Sequence, residues 1–258
     1  MGEHLKNPDG YLWLRMDHPL FKERTFRDAC QSVVGPCNGF SYQERWEKET
    51  PDMVRAILRQ TTSSSPRILD YGCGVGRLAR EVVMQHPSAI VVGIDESPVQ
   101  QQHARDYVDS SRFTASFPHE LEGSFDLVYC IYVLQHVPAI DLRGAIARIH
   151  HRLNPDGVFI YCSCDTRMAV RWDGYAFFDD RFLGVNVRAE IEKLFDPVGD
   201  LFDKEALQAN PVLHRMILGV DEGQEGVGAS PTALAHPAIV YKPRAFRGPY
   251  FDVPPIDR

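Results

Sequence analysis

Arg67-Ile68-Leu69-Asp70-Tyr71-Gly72-Cys73-Gly74-Val75-Gly76-Arg77-Leu78 is the stretch that decides the fold. A short apolar run ends in Asp-x-Gly-x-Gly-x-Gly and passes directly into a helical pattern. Glycines at such a turn let the backbone reverse sharply and lie against a ligand with no side chain between them. The helix that follows offers free N–H groups and the positive end of its dipole to a negative group. A dinucleotide loop of the G-x-G-x-x-G type needs its third glycine at position 77. Arg77 stands there instead, and the third glycine is Gly76. An acid, Asp70, precedes Gly72 by two residues, where it opposes a pyrophosphate and suits a cation.

Outward from this loop, apolar runs alternate with helical patterns. The runs are Ile68-Leu69, Ile90 to Ile94, Phe125 to Tyr129 and Val158 to Tyr161, and the helical patterns lie near 76–85, 98–108 and 141–153. This alternation predicts βαβ units and a parallel sheet covered on both faces. The second run ends at Asp95, 23 residues after Gly72, the spacing at which an acid reaches ribose hydroxyls at the next strand tip. Pro51 opens a further helical pattern through Met53, Ile57 and Leu58. Gly35-Pro36 and Asn38-Gly39 read as turns. Beyond Thr166 the spacing predicts a helix near 187–195, a mobile loop over 221–231 and a last strand over 238–242 before a Pro-rich tail.

Composition narrows the classes. The chain has 258 residues, 44% hydrophobic and 24% charged, which excludes disordered, collagen-like and coiled-coil chains. Lys plus Arg is 28 and Asp plus Glu is 35, a net charge of −7, which argues against a broad phosphate-binding surface and hence against DNA as partner. The six cysteines are scattered without a C-x-x-C, so neither a zinc ribbon nor a thioredoxin-like site is indicated. The N-terminal residues lack the apolar stretch of a signal peptide, and Lys6 breaks the myristoylation pattern. No apolar run approaches the roughly 18 residues of a membrane span. The expectation is a reduced, cytoplasmic protein with no membrane partner.

Residues 67–161 resemble the core of the class I S-adenosylmethionine-dependent methyltransferases. The first motif of that family matches Asp70 through Gly76. Its acid after the second strand matches Asp95, within Gly93-Ile94-Asp95-Glu96-Ser97-Pro98. Its fourth-strand motif matches Phe125 through Val137, and its approach to the fifth strand matches Leu153-Asn154-Pro155-Asp156-Gly157-Val158. The resemblance implies an α/β fold: a doubly wound, mainly parallel, seven-stranded Rossmann-like sheet with a reversed final strand. Residues 1–60 would form an N-terminal helical lid, and 61–258 the methyltransferase domain, with 166–236 as a cap or acceptor segment within it.

The resemblance also assigns roles. Gly72 and Gly74 would let the methionine part of S-adenosylmethionine approach the backbone. Asp70 would order the loop and reach the cofactor's ammonium. Asp95 would accept both ribose hydroxyls, and Glu96 would lie beside the adenine, where the family usually has an apolar residue. The acid that the family often carries after its third strand is missing from Thr114-Ala115-Ser116-Phe117, so Ser116 would accept the adenine amine or Phe117 would stack on the ring. Cys130 would sit near the methyl-donating sulfur.

For the chemistry, an in-line displacement needs the acceptor held about 3 Å from the methyl carbon, and a hydroxyl acceptor also needs a base. Residues at the carboxyl ends of the fourth and fifth strands face the acceptor in such sheets: Ile131, Tyr132, Gln135 and His136, then Cys164, Asp165, Thr166 and Arg167. His136 is the candidate base, because an unperturbed imidazole is poised near neutral pH; its alternative is a structural role. His150-His151 point to different helix faces, and Cys162 with Cys164 lacks a third ligand, so no metal site is assigned. Tyr42, Trp46, Trp172, Tyr175, Phe177 and Phe178 either line an acceptor pocket or pack the ends of the chain onto the sheet. The family's Asn-Pro-Pro-Tyr motif is absent, which disfavours base and amide nitrogens. The expected activity is methyl transfer to a hydroxyl or amine of a small molecule, a sugar unit or specialised metabolite. A protein or RNA methyltransferase and a non-catalytic scaffold subunit are the alternatives, and a homodimer is left open.

Overall fold

The structure is a computed structural model, and it describes residues 25–34, 40–137, 139–163, 171–172, 175–176, 187–218 and 238–245. Nine strands are described: β1 (Arg67–Tyr71), β2 (Ile90–Ile94), β3 (Phe113–Ser116), β4 (Phe125–Ile131), β5 (Leu153–Cys162), β6 (Arg171–Trp172), β7 (Tyr175–Ala176), β8 (Phe195–Asp200) and β9 (Ala238–Pro243). Seven of them form one sheet in the order β3-β2-β1-β4-β5-β9-β8, and β6 pairs with β7 alone. The pairs β1·β2, β1·β4, β2·β3 and β4·β5 are parallel. β9 runs antiparallel to both β5 and β8. From β1 the chain winds outward to β2 and β3, then returns to β4 on the other side of β1. That reversal opens a crevice beyond the carboxyl ends of β1 and β4.

Nine α-helices accompany the sheet among the described residues. They are α1 (Phe26–Val33), α2 (Tyr42–Glu44), α3 (Thr50–Leu58), α4 (Arg77–Gln85), α5 (Pro98–Val108), α6 (Ala139–Arg152), α7 (Val187–Ile191), α8 (Lys204–Ala209) and α9 (Pro211–Leu218). α2 runs into α3 through a π-helical turn, Arg45–Glu49. Pro51 follows that turn; it has no N–H to give and its ring would strike the carbonyl four residues back in a straight helix. The wider turn takes up the misfit.

Alternation along the strands divides the core in two. Ile68, Val91, Leu127, Tyr129 and Ile160 share one cluster with Met53 and Ile57 of α3, Val82 of α4, Ala104 of α5 and Leu213 of α9. Leu69, Val92, Val128 and Phe159 share the other with Leu142 and Ile146 of α6 and Ile191 of α7. Each fully buried aliphatic side chain contributes roughly 1.5–3 kcal/mol, so α3 belongs to the same folded core as the sheet. At the opposite end, the Asp126 carboxylate accepts from the Arg67 amide (2.8 Å) and the Asn154 side chain (2.8 Å), joining β1, β4 and the start of β5.

The expected helix near 187–195 is shorter: α7 ends at Ile191 and Phe195 begins β8. Pro197 disfavours helix at the residue before it. Phe195 is fully buried against Phe159, with ring centroids 5.0 Å apart. β8 is an edge strand, and Pro197, a register shift and Asp196 with Asp200 keep that edge from templating further pairing. The predicted loop over 221–231, the turns over 35–39, residues 164–167 and the Pro-rich tail lie outside the described residues.

Gly76 closes the loop ahead of α4 with φ +78°. A Cβ there would lie 2.7 Å from Val108 Cγ2 and 3.2 Å from the Ala104 backbone. Gly76→Ala should therefore destabilise the fold by roughly 2–4 kcal/mol, from left-handed backbone strain plus overpacking against α5. A urea-unfolding midpoint equal to that of the natural protein would contradict this.

Candidate active site

The site is built at the tips of β1 and β2. Gly72, Gly74 and Gly76 all have positive φ, at 80°, 52° and 78°. The amides of Gly72 and Cys73 both donate to the Ile94 carbonyl, at 2.8 and 2.9 Å. The Gly74 amide donates to Asp95 Oδ2 at 3.0 Å, and the Ser97 amide donates to Asp95 Oδ1 at 2.9 Å. Gln101 Nε2 donates to the Asp95 carbonyl (2.8 Å), while the Asp95 amide donates to the Ser116 carbonyl (3.2 Å). Asp95 thus ties the glycine loop, the start of α5 and the end of β3 to one point. The glycines also serve the protein's own packing: a Cβ on Gly72 would lie 2.4 Å from Val133 Cγ2, and one on Gly74 would lie 3.2 Å from Val33 Cγ2.

Two acids face this loop. Burial raises the Asp70 carboxyl to about 7, and Asp95 pushes in the same direction, while the Tyr129 hydroxyl and the Arg77 guanidinium pull it down. Burial raises Asp95 to about 6 against the two amides it accepts from, and Glu96 adds to the rise. Neighbouring carboxylates at the tips of adjacent strands repel an anion and await a cation. Glu96 itself is exposed. Phe117 is half-buried and stacks on His119, with ring centroids 5.4 Å apart at 18°. Cys130 is the penultimate residue of β4, with its thiol fully buried in the cluster containing Leu69 and Val128. Burial raises that thiol well above its ordinary range.

Beyond β4 the backbone is strained. Tyr132 has φ +62°, a conformation costing on the order of 1–3 kcal/mol for a non-glycine residue. Its amide donates to the Cys162 carbonyl at 2.8 Å, and the turn seats Val133 against Gly72. His136 ends the short 3-10 helix that follows. Burial pushes its imidazole down to about 4, so the ring is neutral across ordinary pH rather than poised near neutrality. Ile131 is half-buried. The side chains of Gln135, Trp172 and Tyr175, and all of Cys164 to Arg167, Phe177 and Phe178, lie outside the described residues. His150 Nε2 lies 3.0 Å from the Arg244 carbonyl, and the described residues contain no cluster of three metal-ligating side chains.

Sequence reasoning missed one constellation. Glu49 is fully buried between two arginines: Arg45 Nε is 2.9 Å from its Oε2, and Arg77 Nη2 is 3.3 Å from its Oε1. Arg77 also donates to Thr50 Oγ1 (3.3 Å), and its guanidinium lies 6.0 Å from the Trp46 ring centroid. Trp46 Nε1 donates to the Tyr107 hydroxyl at 3.1 Å, and Tyr42 packs with Phe26 and Val33 around Val75. These two aromatics therefore pack the N-terminal helices onto α5 and the glycine loop. The Arg45–Glu49 spacing of four was visible in the sequence; the reach from Glu49 to Arg77 was not.

A family model described as a methyltransferase domain matches residues 42–199. A trans-aconitate 2-methyltransferase from Deinococcus radiodurans is 34% identical over 93 residues, covering 36% of this chain and 35% of that one. A ubiquinone biosynthesis O-methyltransferase from Pseudomonas aeruginosa is 28% identical over 127 residues, covering 43% of this chain and 54% of that one. The match thus spans about a third to a half of these relatives. Among solved structures, the cyclase SpnF aligns with a TM-score of 0.52 at 18% identity, over 74% of this chain and 80% of that one. A fold shared with a protein so named does not by itself specify a reaction.

The raised Asp70 carries a stability consequence. A carboxyl at about 7 when folded and near 4 when unfolded imposes a cost that grows as pH rises from 4 and is complete above 7. Asp70→Asn should thus stabilise the ligand-free protein by roughly 1–3 kcal/mol at pH 8 and by almost nothing at pH 4. Thermal melts of both proteins across that range test it; a gain that does not depend on pH would be the wrong result.

Proposed function

The chain belongs to the methyltransferase-domain family, and on that premise we propose that it transfers a methyl group from S-adenosylmethionine to a hydroxyl or amine of a small molecule, such as a sugar unit or specialised metabolite. The observation that carries this reading is the pair of acids, buried Asp70 and half-buried Asp95, converging on a glycine loop whose third glycine is Gly76. S-Adenosylmethionine has no phosphate and carries cationic ammonium and sulfonium groups, so two carboxylates held above their ordinary pKa range suit it. A dinucleotide pyrophosphate would meet like charge there. Relatives named for aconitate and ubiquinone biosynthesis support a small-molecule acceptor.

In this reading Asp70 holds the cofactor's ammonium and Asp95 accepts from the ribose hydroxyls with the lone pairs its two amide bonds leave. Gly72 and Gly74 keep the backbone close, and Glu96 and Phe117 flank the adenine. The bound cofactor supplies an electrophilic methyl carbon. The acceptor enters over the carboxyl ends of β4 and β5, with α1 and α2 covering the glycine-loop side. With a hydroxyl acceptor, His136 would take its proton on a ring nitrogen as the oxygen–methyl bond forms and the methyl–sulfur bond breaks, the sulfur keeping that electron pair, and would then release the proton to water. A base kept near 4 is always free to accept, though its intrinsic strength is low.

Calorimetry should show binding of S-adenosylmethionine and of its demethylated product, with little affinity for NAD. Affinity should rise with pH through the window of about 6 to 7, because ionised Asp70 and Asp95 are the forms that bind a cation. Asp95→Ala should weaken binding at least about tenfold, since charge-assisted hydrogen bonds are worth roughly 1.5–3 kcal/mol each. Tight NAD binding with no heat from either sulfur compound would overturn the reading.

The base assignment is tested by release of demethylated cofactor against a panel of hydroxyl-bearing acceptors. His136→Ala should lower turnover by roughly 10²–10⁴ with cofactor affinity kept, and His136→Gln should not rescue it. The acidic limb of turnover set by this residue should lie near pH 4, below the neutral range. Normal turnover in a folded His136→Ala protein would remove the role.

A further inference from the structure

Arg77 is the first residue of α4, directly after Gly76. The first turn of a helix favours negative charge, so a buried guanidinium there is opposed by the helix dipole. It is also close enough to Asp70 to draw the pKa of that carboxyl down. Left alone, Arg77 would place a positive charge beside the loop that is to receive a cationic ligand. Glu49 neutralises it from α2–α3, 28 residues earlier in the chain, with Arg45 as its second partner. All three side chains are buried: Glu49 is 0% exposed, Arg77 5% and Arg45 6%. Salt and water therefore screen them little.

We propose that Glu49 and Arg77 set the charge preference of the cofactor site: Glu49, by neutralising Arg77 at the start of α4, lets the loop favour the sulfonium form of the cofactor over its neutral demethylated product. The inference rests on reading the loop as a site for S-adenosylmethionine. Glu49 acts through Arg77 and is a positioning residue, not a catalytic one. The two ligands differ by one methyl group and one positive charge, so the ratio of their dissociation constants isolates the charge effect from general damage to the pocket.

The test is calorimetry of S-adenosylmethionine and S-adenosylhomocysteine on the full chain, for the natural protein, Glu49→Gln and Arg77→Met. Glu49→Gln removes the carboxylate that pairs with Arg77 at the start of α4 and should raise the ratio Kd(methylated)/Kd(demethylated) by about threefold to tenfold. Arg77→Met removes one cation and leaves the Arg45–Glu49 pair intact, so it should lower the ratio by a similar factor. A merely structural role would weaken both ligands together and leave the ratio unmoved. Ratios within twofold of the natural protein in both variants would overturn the proposal. Should Glu49→Gln not fold, Arg77→Met decides alone, and an unchanged or raised ratio there counts against it. If the natural protein binds neither ligand, the cofactor reading fails and this proposal with it; if it binds both and the ratio stays fixed, only this proposal fails.

Discussion

The Asp95 carboxylate is the constraint from which the rest of the site follows. One oxygen holds the glycine loop through the Gly74 amide and the other holds the start of α5 through the Ser97 amide. Only a symmetric acceptor of this length serves both: an amide has one acceptor oxygen, and a longer acid would push the two segments apart. The arrangement has a cost, since burial lifts Asp95 to about 6 and, at the next strand tip, Asp70 to about 7. The free energy the two acids lose on ionising is recovered when a cation is placed beside them.

The N-terminal helices complete the same balance by a different route. The π-helical turn widens the helix where Pro51 would otherwise clash, and Glu49 is the last residue of that turn. Buried ion pairs contribute little net stability and are better at fixing one arrangement over others. Here the arrangement fixed is that of α2 and α3 against α4, with Trp46 and Tyr107 joined by a hydrogen bond alongside. The helical layer and the glycine loop are therefore mechanically and electrostatically one unit.

Much of this was legible in the chain. The loop at 70–76, the strands leading to Asp70 and Asp95, the helix over 98–108 and the last strand follow from glycine spacing and apolar periodicity, which report on local backbone demand; the reversal of that strand came from the family resemblance. What was not legible depends on contacts distant in sequence. β8 carries Pro197 and Gly199 and has a single buried residue, Phe195, so it lacks any alternation to read. α1, α8 and α9 are six to eight residues long, near the limit at which periodicity speaks. His136 looked poised near neutrality because its solvation is a property of the fold, not of its neighbours in the chain. Nothing in the local sequence marks Glu49 as buried, for the same reason.

The position of β9 has a bearing on how the chain assembles. It is the last described strand, yet it stands between β5 and β8, and among the described strands β8 pairs with β9 alone. During synthesis the sheet can close from β3 through β5 as those segments emerge, but β8, made next, has nowhere to pair until residues 238–243 arrive. For that interval β5 presents an open edge in the middle of the future sheet, and Phe195 has only part of its final aromatic surroundings. The C-terminal third of the sheet is thus added in one late step, with β9 acting as the tongue that joins β8 to an already folded half. The half that folds first is the one bearing the glycine loop, Asp70 and Asp95, so the pocket walls are set before the sheet is whole.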